Sequence, residues 1–308
     1  MSVTPFPINP HLTGIAMAYR NPKYIADLVM PRVPPFSKPL FTYLVWDLAE
    51  GFTVQNTFVG RRSVPNEVDH SAKEETGRTE DYALDEVLPN DDVRDADNSG
   101  IALRDQTTES LSDLIALDRE KRVAGIVFDP DNYTHKDSLT GAEKWTDPTS
   151  DPIATLADAI MAPLMRPNTL VVGRKAFSIL SRHPKVVGAL SASGTQSGIA
   201  RREAIADMLE LDEIIVGEAY GNATKKGQAP NLLQLWGNSA ALLHLDPLAT
   251  NSNGRITWGF TAQYGERVST DIDEPKIGLR GAVRVRVGES VGEVVAAPDA
   301  GFLIQNVA

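Results

Sequence analysis

Short apolar runs that proline keeps interrupting fill the first part of this chain, and a long amphipathic stretch follows them. Between Leu12 and Pro39, the run Tyr24, Ile25, Leu28, Val29 and Met30 is followed at once by Pro31, Pro34 and Pro35. Proline blocks continuation of a helix and pairing within a sheet. The segment therefore reads as an extended arm with almost no core of its own, whose apolar side chains are expected to find cover on other copies of the chain. That constraint favours an assembly subunit over an enzyme.

At 308 residues and 42% hydrophobic, the chain can bury a real core in one large or two ordinary domains. The lack of cysteine excludes disulfides and thiolate metal sites and suits a reducing cytoplasm. Met1 to Pro10 lack the blocks of an export signal, and no run of about 18 apolar residues is available for a membrane span. A soluble, unexported protein with no membrane partner is expected. A net charge of −11 repels polyanions, which argues against sequence-specific nucleic-acid binding.

From Phe41 to Val59, the residues Phe41, Tyr43 and Val45, then Phe52 and Val54, alternate at period two around 47–51 and predict a long hairpin. A lone hairpin is marginal in water, so this one is expected to lie across a neighbouring surface. Residues 74–97 hold ten acids, among them Glu74 and Glu75, against Arg78 and Arg94, a local charge of −8. They read either as a solvated loop or as charge meeting Arg61, Arg62, Arg201, Arg202, Arg284 or Arg286 of an adjacent subunit.

From about 105 to 128 the apolar spacing becomes helical through Leu111, Leu114, Ile115, Val123, Ile126 and Val127. Thr107 or Thr108 is expected to cap this helix, with Arg119, Lys121 and Arg122 complementing its C-terminal dipole and Asp129-Pro130 ending it. At 1.5 Å per residue it would be roughly 33 Å long. From 151 to 245 helix and strand alternate, with a Gly/Ser-rich break at 188–198 and a strand at 232–245, which predicts a compact α/β unit. The tail from 255 to 297 is strand-rich, with Val283, Val285 and Val287 opposing Ala282, Arg284 and Arg286.

Candidate chemistry is thin. The five histidines stand far apart in sequence, with His183 read as a helix-end residue and His244 as a satisfied core residue. Asp95 to Gly100 resembles half a calcium loop, but its twelfth position is Gln106 rather than a bidentate glutamate, so an Asx-rich turn is the simpler reading. The serine in 194–198 sits one place late for a nucleophile turn. Asp271 and Asp273 have nothing apolar around them to shift a pKa. No catalytic, cofactor-binding or metal residue is assigned, and no cofactor is expected.

The order of these elements, together with 19–27 (Tyr-Arg-Asn-Pro-Lys-Tyr-Ile-Ala-Asp), 59–67 (Val-Gly-Arg-Arg-Ser-Val-Pro-Asn-Glu), 117–120 (Leu-Asp-Arg-Glu) and 164–169 (Leu-Met-Arg-Pro-Asn-Thr), resembles the major capsid proteins of tailed bacteriophages. The resemblance covers most of the chain. It implies an α+β, Hong Kong 97-type capsid fold with an N-arm at 1–40, an extended E-loop hairpin at 41–82 and a spine-helix peripheral domain at 83–150. An α/β axial domain at 151–250 and peripheral return strands at 251–308 complete it.

It also implies self-assembly into hexamers and pentamers of an icosahedral virion shell around packaged double-stranded DNA, contacted non-specifically. Assembly in the host bacterial cytoplasm, a portal protein as partner, and a decoration or cement protein belong to the same picture. Some relatives begin with a cleaved scaffolding segment, so either a separate scaffolding protein serves here or that segment lies outside this sequence. No lysine and asparagine can be placed for a covalent crosslink, which favours noncovalent stabilisation. Inter-subunit contact is expected from Tyr24, Ile25, Leu28 and Met30 on the arm, from Trp46, Phe52, Val54 and Phe58 on the hairpin, and from Arg61, Arg62, Glu74 and Glu75. An encapsulin-like nanocompartment is the alternative within the fold. A hydrolase or metal-dependent enzyme using Asp95, Asp97, Asp271 or Asp273 is the alternative outside it.

Overall fold

The computed structural model describes residues 8–19, 21–46, 53–67, 72–191, 197–222, 224, 227–246 and 255–308, apart from the side chains of Leu44, Trp46 and Ala72. Asn9 opens helix α1 (Pro10–Ala18) by accepting from the His11 and Leu12 amides, with proline at the first helical position. A short helix α2 (Ala26–Val29) follows. Strand β1 (Leu40–Trp46) then pairs antiparallel with β2 (Ala72–Arg78), Phe41 facing Gly77. A Cβ on Gly77 would sit 2.4 Å from the Phe41 ring, so the aromatic lies across a position only glycine can hold.

The hairpin expected within Phe41 to Val59 is thus corrected. The partner strand lies at 72–78, and described residues 53–67 between the strands have no regular secondary structure apart from a turn at Arg61 and Arg62. The acidic stretch is not a loop either. It forms β2, then β3 (Glu80–Pro89) and helix α3 (Asn90–Asn98). Both strands are exposed along almost their whole length, with only Leu88 of β3 buried, so strand pairing on a solvated surface accommodates the acids and charge density alone was a misleading signal.

The spine, α4 (Leu103–Val127), runs 25 residues, longer than the spacing suggested. Thr107 and Thr108 do not cap it. Both are buried inside it, and the Thr108 hydroxyl donates to the Arg104 carbonyl one turn back, as Ser112 does to Thr108.

Strand β4 (His135–Ser138), helix α5 (Pro152–Met161), β5 (Thr169–Gly173), α6 (Arg174–Leu180), α7 (Pro184–Leu190), α8 (Arg202–Leu209) and β6 (Glu213–Gly217) come next. Helix α7 begins before the expected break at 188. The strand expected at 232–245 is two, β8 (Leu232–Gln234) paired with β7 (Tyr220–Asn222), and β9 (Ala240–Leu243). The chain ends through β10 (Gly259–Gln263), β11 (Val268–Glu274), the 14-residue β12 (Ala282–Val295) and β13 (Gly301–Gln305).

Two larger sheets organise the molecule. In one, β12 pairs with β10 and β11 along one edge and with β3 along the other, burying Val283, Val285 and Val287 and leaving Arg284 and Arg286 at the surface side. The other has the order β4-β13-β9-β5-β6. It recruits 135–138 and 301–305, outside the 151–250 span expected for the α/β unit.

Alternation along this second sheet builds two cores. Leu170, Val172, Ala240, Leu242 and Ile214 face Leu156, Leu180 and Ile205 of the helices. Val171, Ala241, Leu243, Ile215 and Leu303 face Val123, Ala124 and Val127 of α4, and with them Ile25, Ala26, Val29 and Met30 of the arm. The arm is therefore part of its own chain's core, which corrects the expectation that it is covered only by sister molecules. Ile25 and Met30 are sealed in, Met30 at 0% exposure, and only Leu28 of the four arm candidates is largely exposed.

Candidate assembly interface

The arm is fixed to the spine by polar contacts as well as by apolar ones. The Asp113 carboxylate on α4 accepts from the Tyr19 hydroxyl at 2.9 Å, the Asn21 amide at 2.8 Å and the Tyr24 hydroxyl at 3.4 Å. Half-buried Tyr24 is pushed up to about 12 by burial and by the Asp113 charge. Two turns on, Glu120 accepts from the backbone amides of Ile25 at 2.9 Å and Ala26 at 2.8 Å, at the start of α2, where a carboxylate complements the exposed donors. Burial raises the Glu120 carboxyl above its usual value, against the pull of these donors.

Arg119 beside it is buried and donates to Asp27, to the Met30 carbonyl at 3.2 Å and to the Thr261 hydroxyl at 3.0 Å. Arg32 and Arg267 converge on the buried Glu289 at 3.0 and 2.9 Å. Burial pushes Glu289 up, but the two guanidinia outweigh it and hold its carboxyl below the usual range. Segments 19–27 and 117–120, singled out separately in the sequence, are thus two halves of one staple. Arg119 and Glu120 were not picked as buried residues, although Arg119 stands four residues from both Ile115 and Val123 and so interrupts the apolar stripe. Segment 164–169 has a similar role in the sheet, where Asn168 exchanges hydrogen bonds with Leu245 at 2.9 Å in each direction.

Segment 59–67 behaves differently. None of residues 53–67 is buried: Val54 is 96% exposed, and Phe58 and Val64 are each 82% exposed. Arg61 and Arg62 sit at a turn closed by the Ser63 amide donating to the Gly60 carbonyl at 3.0 Å. Three of the expected contact residues, Phe58, Arg61 and Arg62, thus share one projecting lobe, with Val54 on its stem. Phe52 and the Trp46 side chain lie outside the described residues.

At the base of the lobe, Glu75 accepts from Lys73 at 2.8 Å and from the Tyr43 hydroxyl at 3.1 Å, and these donors, Lys73 first, hold its carboxyl below the usual range. Tyr43 is itself pushed up to about 12 by burial and by Glu75. Glu75 is thereby engaged within its own ribbon, whereas Glu74 is exposed. Of the arginines expected to meet a neighbour's acids, Arg284 and Arg286 are met by Asp85 of their own chain, at 3.4 and 2.7 Å, which corrects that expectation for the pair.

No catalytic arrangement comes together around the residues weighed for chemistry. Asp95 and Asp97 lie in helix α3, not in a cation-binding turn. Asp271 accepts from Arg104 at 3.1 Å and Asn9 at 3.0 Å, as a structural ion pair does. His183 contacts the Ser150 hydroxyl at 3.2 Å, which resembles a nucleophile and its base. Its Nδ1 accepts from the Lys185 amide, so the proton of the neutral ring is on Nε2, aimed at Ser150 and the Asp147 carbonyl. A nitrogen that already carries the proton cannot take one from the serine, so His183 is a helix cap. Among the described residues no group of three or more His, Asp or Glu is placed to hold a metal ion, and no helix is long and apolar enough to cross a membrane.

Residues 132–270 match the family model described as phage major capsid protein E. Over 308 residues, 99% of each chain, the sequence is 47% identical to the major capsid protein of Pseudomonas phage JBD67. Among solved structures, a phage-related protein from Bordetella bronchiseptica RB50 superposes with a TM-score of 0.77 at 24% identity, covering 99% of both chains. The capsid protein of cyanophage P-SCSP1u superposes at 0.58 with 9% identity, over 94% of this chain and 89% of that one, a likeness of fold alone.

Proposed function

Because the chain belongs to the family of phage major capsid proteins, we propose that its copies assemble as hexamers and pentamers into an icosahedral virion head around double-stranded DNA. The fold is of the Hong Kong 97 type, and the role is structural: a subunit of the phage shell. In this reading 1–40 is the N-arm, 41–82 the E-loop, 83–150 with 251–308 the peripheral domain, and 151–250 the axial domain, extended by β4 and β13. The chain is a non-catalytic protein.

The observation that carries the reading is the lobe. Fifteen consecutive residues, 53–67, stand outside their own core and present Val54 and Phe58 to solvent. A monomer keeps no such apolar projection without a use, and a closed assembly gives every copy a neighbour to cover it. The inter-subunit contacts then comprise Trp46, Phe52, Val54, Phe58, Arg61 and Arg62 of the loop, Leu28 and Tyr24 of the arm, and Glu74. Obligate contacts of this kind bury about 2,000 Å² or more.

Assembly takes place in the host bacterial cytoplasm, with a portal protein at one vertex and a separate scaffolding protein and a decoration or cement protein as further partners. The charge of −11 suits a container wall that contacts packaged DNA non-specifically and does not hold it tightly. Electron micrographs of the purified chain, alone and co-expressed with its neighbouring phage genes, test this. Closed shells bear the reading out. Shells packed with protein cargo point to a nanocompartment instead, and a monomer at every concentration refutes assembly.

A further inference from the structure

Trp145 is 1% exposed, and its indole N–H has no hydrogen-bond acceptor. Its backbone amide donates to the Val307 carbonyl at 2.9 Å, so the residue is held against the chain that leaves β13. A buried donor left unmatched is destabilising, and folded proteins leave few of them. Trp145 lines a cleft of about 280 Å³ at the corner where α6 gives way to α7, together with Pro148, Ile179, Arg182, His183 and Pro184. That volume lies at the small end of clefts that hold organic ligands.

The chemistry of the walls selects the ligand. Arg182 donates its Nε–H to the Ser178 carbonyl at 2.8 Å, which anchors the guanidinium and leaves its two terminal nitrogens for a partner that accepts in pairs. Among the described residues Arg182 forms no ion pair, and no acidic side chain lines the cleft. Neutral His183 spends its Nε2 proton on Ser150 and the Asp147 carbonyl, so it walls the cleft without adding a donor. Pro148, Ile179 and Pro184 supply apolar surface. The wider field has the same sign, since residues 174–202 carry six lysines and arginines and no acid, +6 on a chain of −11. Only Glu218 and Asp151, from outside that stretch, answer Arg174 and Lys185. One guanidinium fork, one neutral N–H and three apolar walls match a single negative charge on an apolar stem. A phosphate has no stem to cover those walls.

We propose that this cleft is a carboxylate-binding site that takes a monocarboxylate on a short apolar stem. Arg182 grips both carboxylate oxygens, the Trp145 N–H donates to one of them, and the stem lies against Ile179 and the two prolines. A free organic acid and the end of a polypeptide chain both offer this chemistry. The shell reading does not require the site, and the two stand or fall separately.

The full chain is titrated with isovalerate, N-acetylleucine, N-acetylleucinamide and inorganic phosphate, followed by calorimetry and by fluorine NMR of protein carrying fluorotryptophan. At least one of the two acids is expected to bind saturably, at least about tenfold more tightly than the uncharged amide or phosphate. It should move the resonance that Trp145→Phe removes. Isovalerate binding at least as tightly as N-acetylleucine assigns the site to a free acid, and the reverse order assigns it to a chain end. No saturable binding of either acid overturns the site, as does equal binding of the amide or of phosphate.

Arg182 is exposed, so Arg182→Ala is expected to leave the melting temperature unchanged while weakening the acid at least about tenfold. Lys175→Ala removes another exposed charge of the same basic stretch from outside the cleft and should change binding by less than about twofold. Equal losses in the two variants reduce the effect to general charge attraction and overturn the grip of Arg182. Calorimetry on these two variants leaves the core untouched, so the test survives a Trp145→Phe chain that does not fold.

Discussion

The indole of Trp236 donates its N–H to the Glu120 carboxylate at 2.6 Å, joining the connection between β8 and β9 to the middle of the spine helix. The same carboxylate receives the Ile25 and Ala26 amides, so one buried side chain ties the arm, the spine and the α/β layer together. Glu120→Ala leaves three buried donors without an acceptor, and each costs about 1–3 kcal/mol when unmatched. The expected outcome is a subunit that melts many degrees lower, read by circular dichroism, while Glu120→Gln recovers part of the loss. Equal melting of Glu120→Ala and wild type would remove the staple from the account.

Acid should loosen the arm through Glu289. Its folded-state carboxyl is held below the usual value of 4.5, so its contribution is present above that pH and is lost as pH falls through the lower folded value. Asp27 is depressed in the same direction, with burial opposing and Arg119 and Arg32 prevailing. Glu120 has the opposite sign. Burial raises its folded value, so its contribution is greatest below the unfolded value and falls as pH rises. Urea midpoints measured from pH 7 down to about 3 should fall, and Glu289→Gln should flatten that fall. A midpoint that stays level across this range would sink the assignment.

Trp236 lies against two glycines that face each other across β5 and β6, Gly173 and Gly217. A Cβ on Gly217 would fall 2.1 Å from the indole ring, closer than atoms approach, and Trp236 is fully buried and cannot swing away. Gly217→Val is expected to cost about 2–3 kcal/mol by overpacking, seen as a shifted tryptophan emission and an earlier urea midpoint. Unchanged emission and stability would mean that the ring has room to move.

Local chemistry was legible in the sequence, and long-range pairing was not. The helix at 103–127, the stop at Asp129-Pro130 and the alternation along 282–287 follow from spacing and capping, which a single segment contains. The partner of Phe41 is different. Strand β2 begins beyond a long insertion, its residues Ala72 to Arg78 are mostly polar, and period-two alternation at 52–54 offered a nearer false partner. The arm failed for a related reason. Proline ends α2 after one turn, but short helices and the chain between them still fill a groove when their carboxylate and guanidinium partners lie about 90 residues away, as Asp113, Arg119 and Glu120 do. Val54 and Phe58 were read in the sequence as hairpin residues lying across a neighbour, and in the structure they are exposed in a segment without strands, while Glu75 and Arg286 are answered within their own chain, which charge alone does not reveal.

The arm and the lobe therefore respond oppositely to truncation, and this contrast separates folding from assembly. Met30 is wholly buried against α4 and β10, so Met30→Ala removes core contacts and is expected to cost about 2–5 kcal/mol in the isolated subunit. Phe58 is 82% exposed in the single chain, so Phe58→Ala should change subunit stability by no more than about 0.5 kcal/mol. It should nonetheless cut the yield of sedimenting shells at least tenfold, about 1.4 kcal/mol per contact or more, repeated at every copy. Denaturation of the unassembled subunit and sedimentation of the assembled material distinguish the two. A Phe58→Ala protein that unfolds early would show that the lobe is covered by its own chain, and one that fills the shell peak as wild type does would remove Phe58 from the contacts between subunits.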